Sequence, residues 1–328
     1  MTNVSHQTVE ASEPRPMDGQ TTLNEERRSL ARKLLLPAQI LLVFIVAFPL
    51  CMQLYIAMTW WTPLDGDPWY MAYQSWIWFL NYIDLFQDSS LWRAVWRTVL
   101  FVLISVPIQF ALGLALAAIF YEGVAARPFF YSILLMPMMI VPAVTGFIFF
   151  LMFQQTGPVN AILGFFMSDA AQINWLSDVD RAFAAVIVAD VWQWTPLMFL
   201  ILYAGLMSVP DDQMRAATIL GASWWDRFRR IALPRIKAVI VIAIGLRVIE
   251  AFKIFDPIFI MTQGGPGVAT ESLSLYLYKR TFQDLEWSYV AAIGITVLVI
   301  LSIITGLIIS KTSGAAVEPA TESDPEKV

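Results

Sequence analysis

Six polar or ionisable side chains within the apolar stretches are candidates for chemistry: Gln109, Asp190, Gln193, Arg247, Glu250 and Lys253. A charge at membrane depth costs ~2.5–3.5 kcal/mol on insertion scales, so such groups pair with one another or face a water-filled cavity. Asp190, Gln193 and Trp194 lie within about one helical turn. They combine acceptors, donors and a stacking face, as a hydroxylated solute requires. Arg247 and Glu250 are three apart on one helix face and can pair. That pair reads either as a structural salt bridge or as a polar wall for a solute. Arg247 would also suit an anionic solute, a phosphate or a sulfonate.

Catalytic chemistry finds little to work with. The single histidine is His6 and the single cysteine is Cys51. Neither a disulfide framework nor a Ser–His arrangement follows, and His- or Cys-based zinc is excluded. No phosphate-cradling loop occurs, because Gly306 and Lys311-Thr312 have the wrong spacing. The chain is therefore expected to be no enzyme, with no cofactor and no metal of its own. It carries no basic stripe of the kind nucleic acid needs.

What must position these residues is membrane. Of 328 residues, 58% are hydrophobic and 14% charged, against about 25% charged in a soluble domain. Six apolar runs are long enough to span a bilayer: Leu34–Met58, Ala94–Tyr121, Phe129–Phe153, Ala182–Met207, Ile236–Met261 and Ser288–Ser310. The expected fold is all-α and polytopic. Pro107, Pro137, Pro142 and Pro196 fall inside the runs, where freed carbonyls are satisfied by neighbours and helices bend. Residues 1–33 and 311–328 read as cytoplasmic disordered tails around a 34–310 membrane domain. The aromatic-rich stretch Thr62–Trp92 reads as an external loop at the interface. With both termini inside, 14 of the 21 Lys and Arg fall on the cytoplasmic side, five outside and two in the fifth run. That asymmetry sets the orientation.

One charged stretch interrupts the apolar pattern, Pro210–Pro234, reading P-D-D-Q-M-R-A-A-T-I-L-G-A-S-W-W-D-R-F-R-R-I-A-L-P. Helical periodicity puts Met214, Ala217, Ile219, Leu220, Trp224 and Phe228 roughly on one side and the charges on the other. Asp211 and Asp212 favour a helix start there, and Gly221 ends or kinks the first short helix. From the residues alone this is either an amphipathic helix lying on lipid or a docking surface for another protein.

The spacing Arg215-Ala216-Ala217, Gly221, Ile231-Ala232-Leu233-Pro234 resembles the EAA loop of ABC-importer permeases, with Arg215 where the consensus has Glu. Gly157-Pro158-Val159-Asn160, Asp190-Val191-Trp192-Gln193-Trp194-Thr195-Pro196 and Phe255-Asp256-Pro257-Ile258-Phe259 with Thr262-Gln263-Gly264-Gly265-Pro266 resemble further segments of sugar permeases. The resemblance implies a type I importer permease fold of the glycerol-phosphate and trehalose type, in a bacterial inner membrane. It implies a coupling loop at about 208–235, in which Arg215, Ala216, Ala217, Gly221, Ala222 and Trp225 face an ATPase. It implies solute contacts at Asp190, Gln193, Trp194, Leu197, Arg247, Glu250, Ala251 and Ile254. The implied partners are a second homologous permease, two ATPase subunits that bind ATP and Mg, an extracytoplasmic solute-binding protein, lipid, and a sugar or polyol. The alternatives are an ion-coupled secondary transporter, which should show an inverted repeat, and an importer permease for a non-carbohydrate solute.

Overall fold

The computed structural model describes residues 18–123, 127–166 and 173–316. It divides at Tyr55/Ile56 into two compact units. Among the described residues there is no strand, only an antiparallel bridge between Thr59 and Trp76.

Helix α1 runs Asp18–Ala57 with Pro37 and Pro49 inside it. It begins inside the segment expected to be a disordered tail. Residues 18–33 contain no proline and carry Leu23, Leu30, Glu25, Glu26, Arg27, Arg28 and Arg32, residue types that favour helix. Residues 1–17 and 317–328, the remainder of the expected tails, lie outside the described residues. The last helix, α14, continues to Ala316, past the expected end of the final span.

In the second unit, 3-10 turns at Pro63–Asp65 and Trp69–Ser75 lead to α2 (Leu80–Gln87) and the long α3 (Ser89–Glu122). Asn81 is buried and donates to the carbonyls of Ala57 and Thr59, both at 2.9 Å. Trp60, Tyr70, Tyr73 and Trp78 of the aromatic-rich stretch are exposed. Asp88 caps α3, accepting from the amides of Ser90 and Leu91. It also accepts from the hydroxyls of Tyr276 and Tyr289. Burial would raise the Asp88 carboxyl, but these hydrogen bonds outweigh it and hold the carboxyl below the usual range. Burial and the Asp88 bond push the Tyr276 phenol up to about 12.

The third apolar run is two helices, α4 (Arg127–Met139) and α5 (Pro142–Met152). They meet at an angle of 96°. Pro142 opens α5 and has no amide hydrogen to carry the ladder across the break. A short α6 (Pro158–Gly164) follows. Its buried Asn160 donates to the carbonyls of Gln155 and Ile173 and accepts from the Trp175 indole at 2.7 Å, which closes the loop.

Helix α7 (Val179–Met207) lies along α3. Phe101 meets Phe183, Gln109 meets Asp190, and Phe120 meets Phe199 and Tyr203, so the two helices run in the same direction. Their close approach depends on Gly113. A Cβ there would stand 2.7 Å from Met198 Cβ and 2.9 Å from the Phe199 amide. Small residues let helix backbones approach in this way.

Beyond α7 come α8 (Asp211–Ile219), α9 (Trp224–Arg227), a π-turn at Phe228–Ala232, α10 (Leu233–Arg235) and α11 (Lys237–Phe252). The chain ends with α12 (Asp256–Met261), α13 (Leu273–Phe282) and α14 (Trp287–Ala316).

Among the described residues, four helices are long and apolar enough to cross a membrane: Lys33–Ala57, Ser89–Glu122, Val179–Met207 and Trp287–Leu307. The bent pair α4–α5 makes five if it counts as one span. The expected fifth run, Ile236–Met261, is not one helix. It breaks at Lys253–Phe255, where Pro257 at the start of α12 prevents continuation. The 16 residues of α11 reach about 24 Å, short of the ~30 Å hydrocarbon core.

Candidate functional site

Where α3, α7 and α11 meet, three polar side chains close on one another. Arg247 donates from its terminal guanidinium nitrogen to Asp190 Oδ2 at 2.5 Å and from Nε to Gln109 Oε1 at 2.7 Å. Gln109 Nε2 donates to the same Asp190 Oδ2 at 2.7 Å and to the Asp190 carbonyl at 3.2 Å. All three residues are buried, and Arg247 is the largest fully buried side chain. The Trp194 ring lies 5.2 Å from the guanidinium centre, within cation–π range. Half-buried Trp194 thus caps a closed ring of charge.

The expected Arg247–Glu250 pair does not form. Glu250 is exposed and bonds Lys253 at 2.9 Å. Arg247 is buried while Glu250 is exposed, and Arg247 reaches inward to a carboxylate and an amide that satisfy it.

Gln193 is buried and has a different partner. Its Nε2 donates to the Ile140 carbonyl at 2.8 Å. That carbonyl lies in the break between α4 and α5, where no amide four residues on takes it up, so a neighbouring helix supplies the donor. Oε1 of Gln193, Oγ1 of Thr145 and Oγ of Ser105 are buried without a partner among the described residues. Leu197 is half-buried one turn beyond Gln193. Ala251 and Ile254 are buried at the end of α11, and the Ile254 carbonyl accepts from Ser272 at 2.8 Å. The sequence-predicted positions thus fall into an Asp190–Arg247–Trp194 cluster, Gln193 at the helix break, and Leu197, Ala251 and Ile254 as apolar packing, with Glu250 turned away.

The charged stretch Pro210–Pro234 follows the end of α7. The parallel run of α3 and α7 puts it at the opposite end of the bundle from Asp88. Helix α8 is stopped by Gly221 at φ +80°, the left-handed region glycine favours. Gly221 N bonds Thr218 O and Ala222 N bonds Ala217 O, both at 3.0 Å, which completes a Schellman cap. Ser223 then starts α9, its hydroxyl accepting from the Asp226 amide and donating to the Asp226 carboxylate. Arg227 reaches back to Thr218 Oγ1 at 2.8 Å and ties the two short helices together.

Met214 and Phe228, which the periodicity put on one side, are buried. Ile219 and Leu220 are not. They are 85% and 86% exposed, and Trp225 is 56% exposed. At ~100° per residue, Ile219 lies about 140° round the helix from Met214, and the Gly221 cap then resets the phase. Ala216 is exposed, while Ala217 and Ala222 are half-buried. Arg215 faces Asp211 across 3.8 Å, with both side chains about three-quarters exposed. The loop therefore carries apolar side chains in the open beside a rigid, capped turn. Among the described residues no group of side chains suits a metal ion.

A helical fold with a bent helix pair, a broken fifth run and a capped charged loop at one end defines a membrane transport component. Residues 86–322 match the family described as binding-protein-dependent transport system inner membrane component, and the chain belongs to it. It is a multi-pass inner-membrane permease component of an ABC importer. It is 35% identical over 241 residues to the trehalose/maltose transport system permease protein MalF of Thermococcus litoralis, covering 73% of this chain and 79% of that one. It is 32% identical over 319 residues to the trehalose transport system permease protein SugA of Mycobacterium tuberculosis, covering 96% and 97%. A chain of a bacterial ABC transporter involved in import of the acidic polysaccharide alginate shares the fold. Its TM-score is 0.76 at 20% identity, over 90% of this chain and 98% of that one.

Proposed function

We propose that this chain is the permease subunit through which a carbohydrate importer takes up a sugar, a polyol or a glycoside of glycerol. The naming of the trehalose and maltose permeases among its relatives supports the solute class. The coupling role rests on a single observation, the capped loop that holds Ile219, Leu220 and Trp225 in the open at one end of the bundle. A monomer gains nothing by exposing these side chains on a rigid turn, whereas a docked partner would bury them.

In this reading the chain makes six passes, with the broken α4–α5 and α11–α12 segments counting as crossings and both termini in the cytoplasm. A second homologous permease completes the path. Two ATPase subunits bind ATP and Mg below it, and a solute-binding protein delivers the solute from outside. ATP binding moves the ATPases, the loop follows as a rigid body, and the helix bundle changes its opening from inward to outward. The solute passes the broken helices beside Trp194, Gln193 and Leu197, with Ala251 and Ile254 shaping the wall. Asp190 and Arg247 hold the wall together and leave solute hydroxyls to Gln193 and its orphaned Oε1.

The test is solute uptake into vesicles containing the complete complex and its binding protein, with trehalose, maltose and a glycerol glycoside as probes. ATP-dependent uptake that needs the binding protein is expected. Uptake driven by an ion gradient without ATP would contradict the proposal.

A further inference from the structure

Beside Gly221, α8, α9 and the π-turn enclose an open groove of about 460 Å³. Its polar walls are Asp226, Arg227 and Arg230. Asp226 is already engaged. Its carboxylate takes the Ser223 hydroxyl at 2.5 Å and faces Arg230 Nε across 3.5 Å. Arg227 is half satisfied. One terminal nitrogen bonds Thr218, but its Nε is buried and has no acceptor among the described residues. Arg230 holds its guanidinium 80% exposed at the groove's edge. Gly221 leaves the space beside it open, with no atom within 4 Å of where a Cβ would stand. Exposed Leu220 forms the apolar rim.

A guanidinium is best satisfied by a planar carboxylate that meets two of its donors. The groove offers two guanidinium groups against one carboxylate that is already held, so it carries an excess of positive charge. We infer that the ATPase subunit inserts an Asp or Glu side chain into this groove, where it accepts from Arg230 and from a terminal nitrogen of Arg227 while an apolar patch covers Ile219 and Leu220. The inference rests on the docking role proposed above and adds the chemistry of the partner's contact. The two cations attract the ATPase and fix its register, and the apolar rim supplies buried area.

The test uses the whole complex, both permeases and both ATPases, in nanodiscs of zwitterionic lipid. ATPase retention is followed by size exclusion as NaCl is raised. We expect Arg227→Gln to weaken retention about tenfold and Arg230→Gln a few-fold, both with a shallower salt dependence than the parent. Arg230→Lys keeps most of the parent behaviour. Each exposed acidic residue of the ATPase is then changed to Lys. One such change is expected to weaken retention and to add nothing to Arg227→Gln. Thr218→Val removes the internal tie of Arg227 and is expected to leave retention unchanged. If it matches Arg227→Gln, the tie explains the effect and the inference fails. Unchanged retention and salt slope in both Gln variants would also overturn it, even where Leu220→Asp still releases the ATPase. Loss of the Leu220→Asp effect as well would overturn the docking role itself.

Discussion

In the Asp190–Arg247 pair the two side chains are 4% and 2% exposed, whereas in the Asp211–Arg215 pair they are 76% and 77% exposed. The first pair is closed by Gln109 and capped by Trp194, and every charge is spent inside the chain. The second stands in a loop whose turn at Gly221 is capped but whose side chains are left open. Both segments carry charge of both signs at helical spacing, so composition does not distinguish them. What distinguishes them is whether the neighbouring helices complete the hydrogen bonds. A polar cluster that completes itself holds helices together, and one that leaves an apolar rim and an unmet donor awaits a partner.

The largest effect should come from opening the closed cluster. Arg247→Ala leaves Asp190 buried without its cation and should cost about 3–5 kcal/mol, read as a loss of thermal stability in detergent. Replacing both partners, Asp190→Leu with Arg247→Met, should recover most of it. Equal damage from the double variant would assign the pair a role beyond holding helices. The helix contact that brings the cluster together comes next. Gly113→Ala places a methyl against Met198 and the Phe199 amide and should cost about 1–3 kcal/mol in the same measurement.

At the end of the bundle away from the loop, Asp88→Asn weakens the cap of α3 and should cost about 1 kcal/mol. Its pH dependence has a definite sign. The Asp88 carboxyl lies below its ordinary value of 3.8 in the folded chain. Its contribution is therefore present above pH 3.8 and lost as pH falls through the lower folded value. Stability measured through this acid range should decline less steeply in Asp88→Asn than in the parent. The smallest effect belongs to the open pair. Arg215→Ala should change stability by less than about 1 kcal/mol, because an exposed ion pair contributes little. A larger loss would show that this pair is structural and would erase the contrast with Asp190–Arg247.

Part of this was legible in the sequence. Four of the apolar runs marked long membrane helices and Pro142 marked the break in a fifth, but Pro107 and Pro196 lie inside unbroken helices and the break before Pro257 was not anticipated. Gly221 marked the helix stop, because a left-handed cap has a strong residue preference. The Ala-Ala, Gly221 and Leu233-Pro234 spacing marked the loop. Long-range choices were not legible. Arg247 had Glu250 at helical spacing and Asp190 57 positions away, and only the packing of α7 on α3 and α11 decides for Asp190. The Ile140 carbonyl that holds Gln193 is a backbone group, which side-chain spacing cannot reveal. Ile219 and Leu220 were grouped on one side with Met214 and Phe228 by carrying a single helical phase over the whole stretch. Counting from Met214 alone would have set them about 120–140° away from it.

In the proposed coupling, the exposed apolar side chains of the loop carry the movement of an ATPase into the membrane helices. The most direct measurement is ATP hydrolysis stimulated by the binding protein, together with solute uptake, in the reconstituted complex carrying Leu220→Asp. The substitution lies at an 86% exposed position and leaves the permease core untouched. The account predicts that stimulated hydrolysis and uptake fall together while the permease pair remains folded. Both activities at parental levels would contradict it.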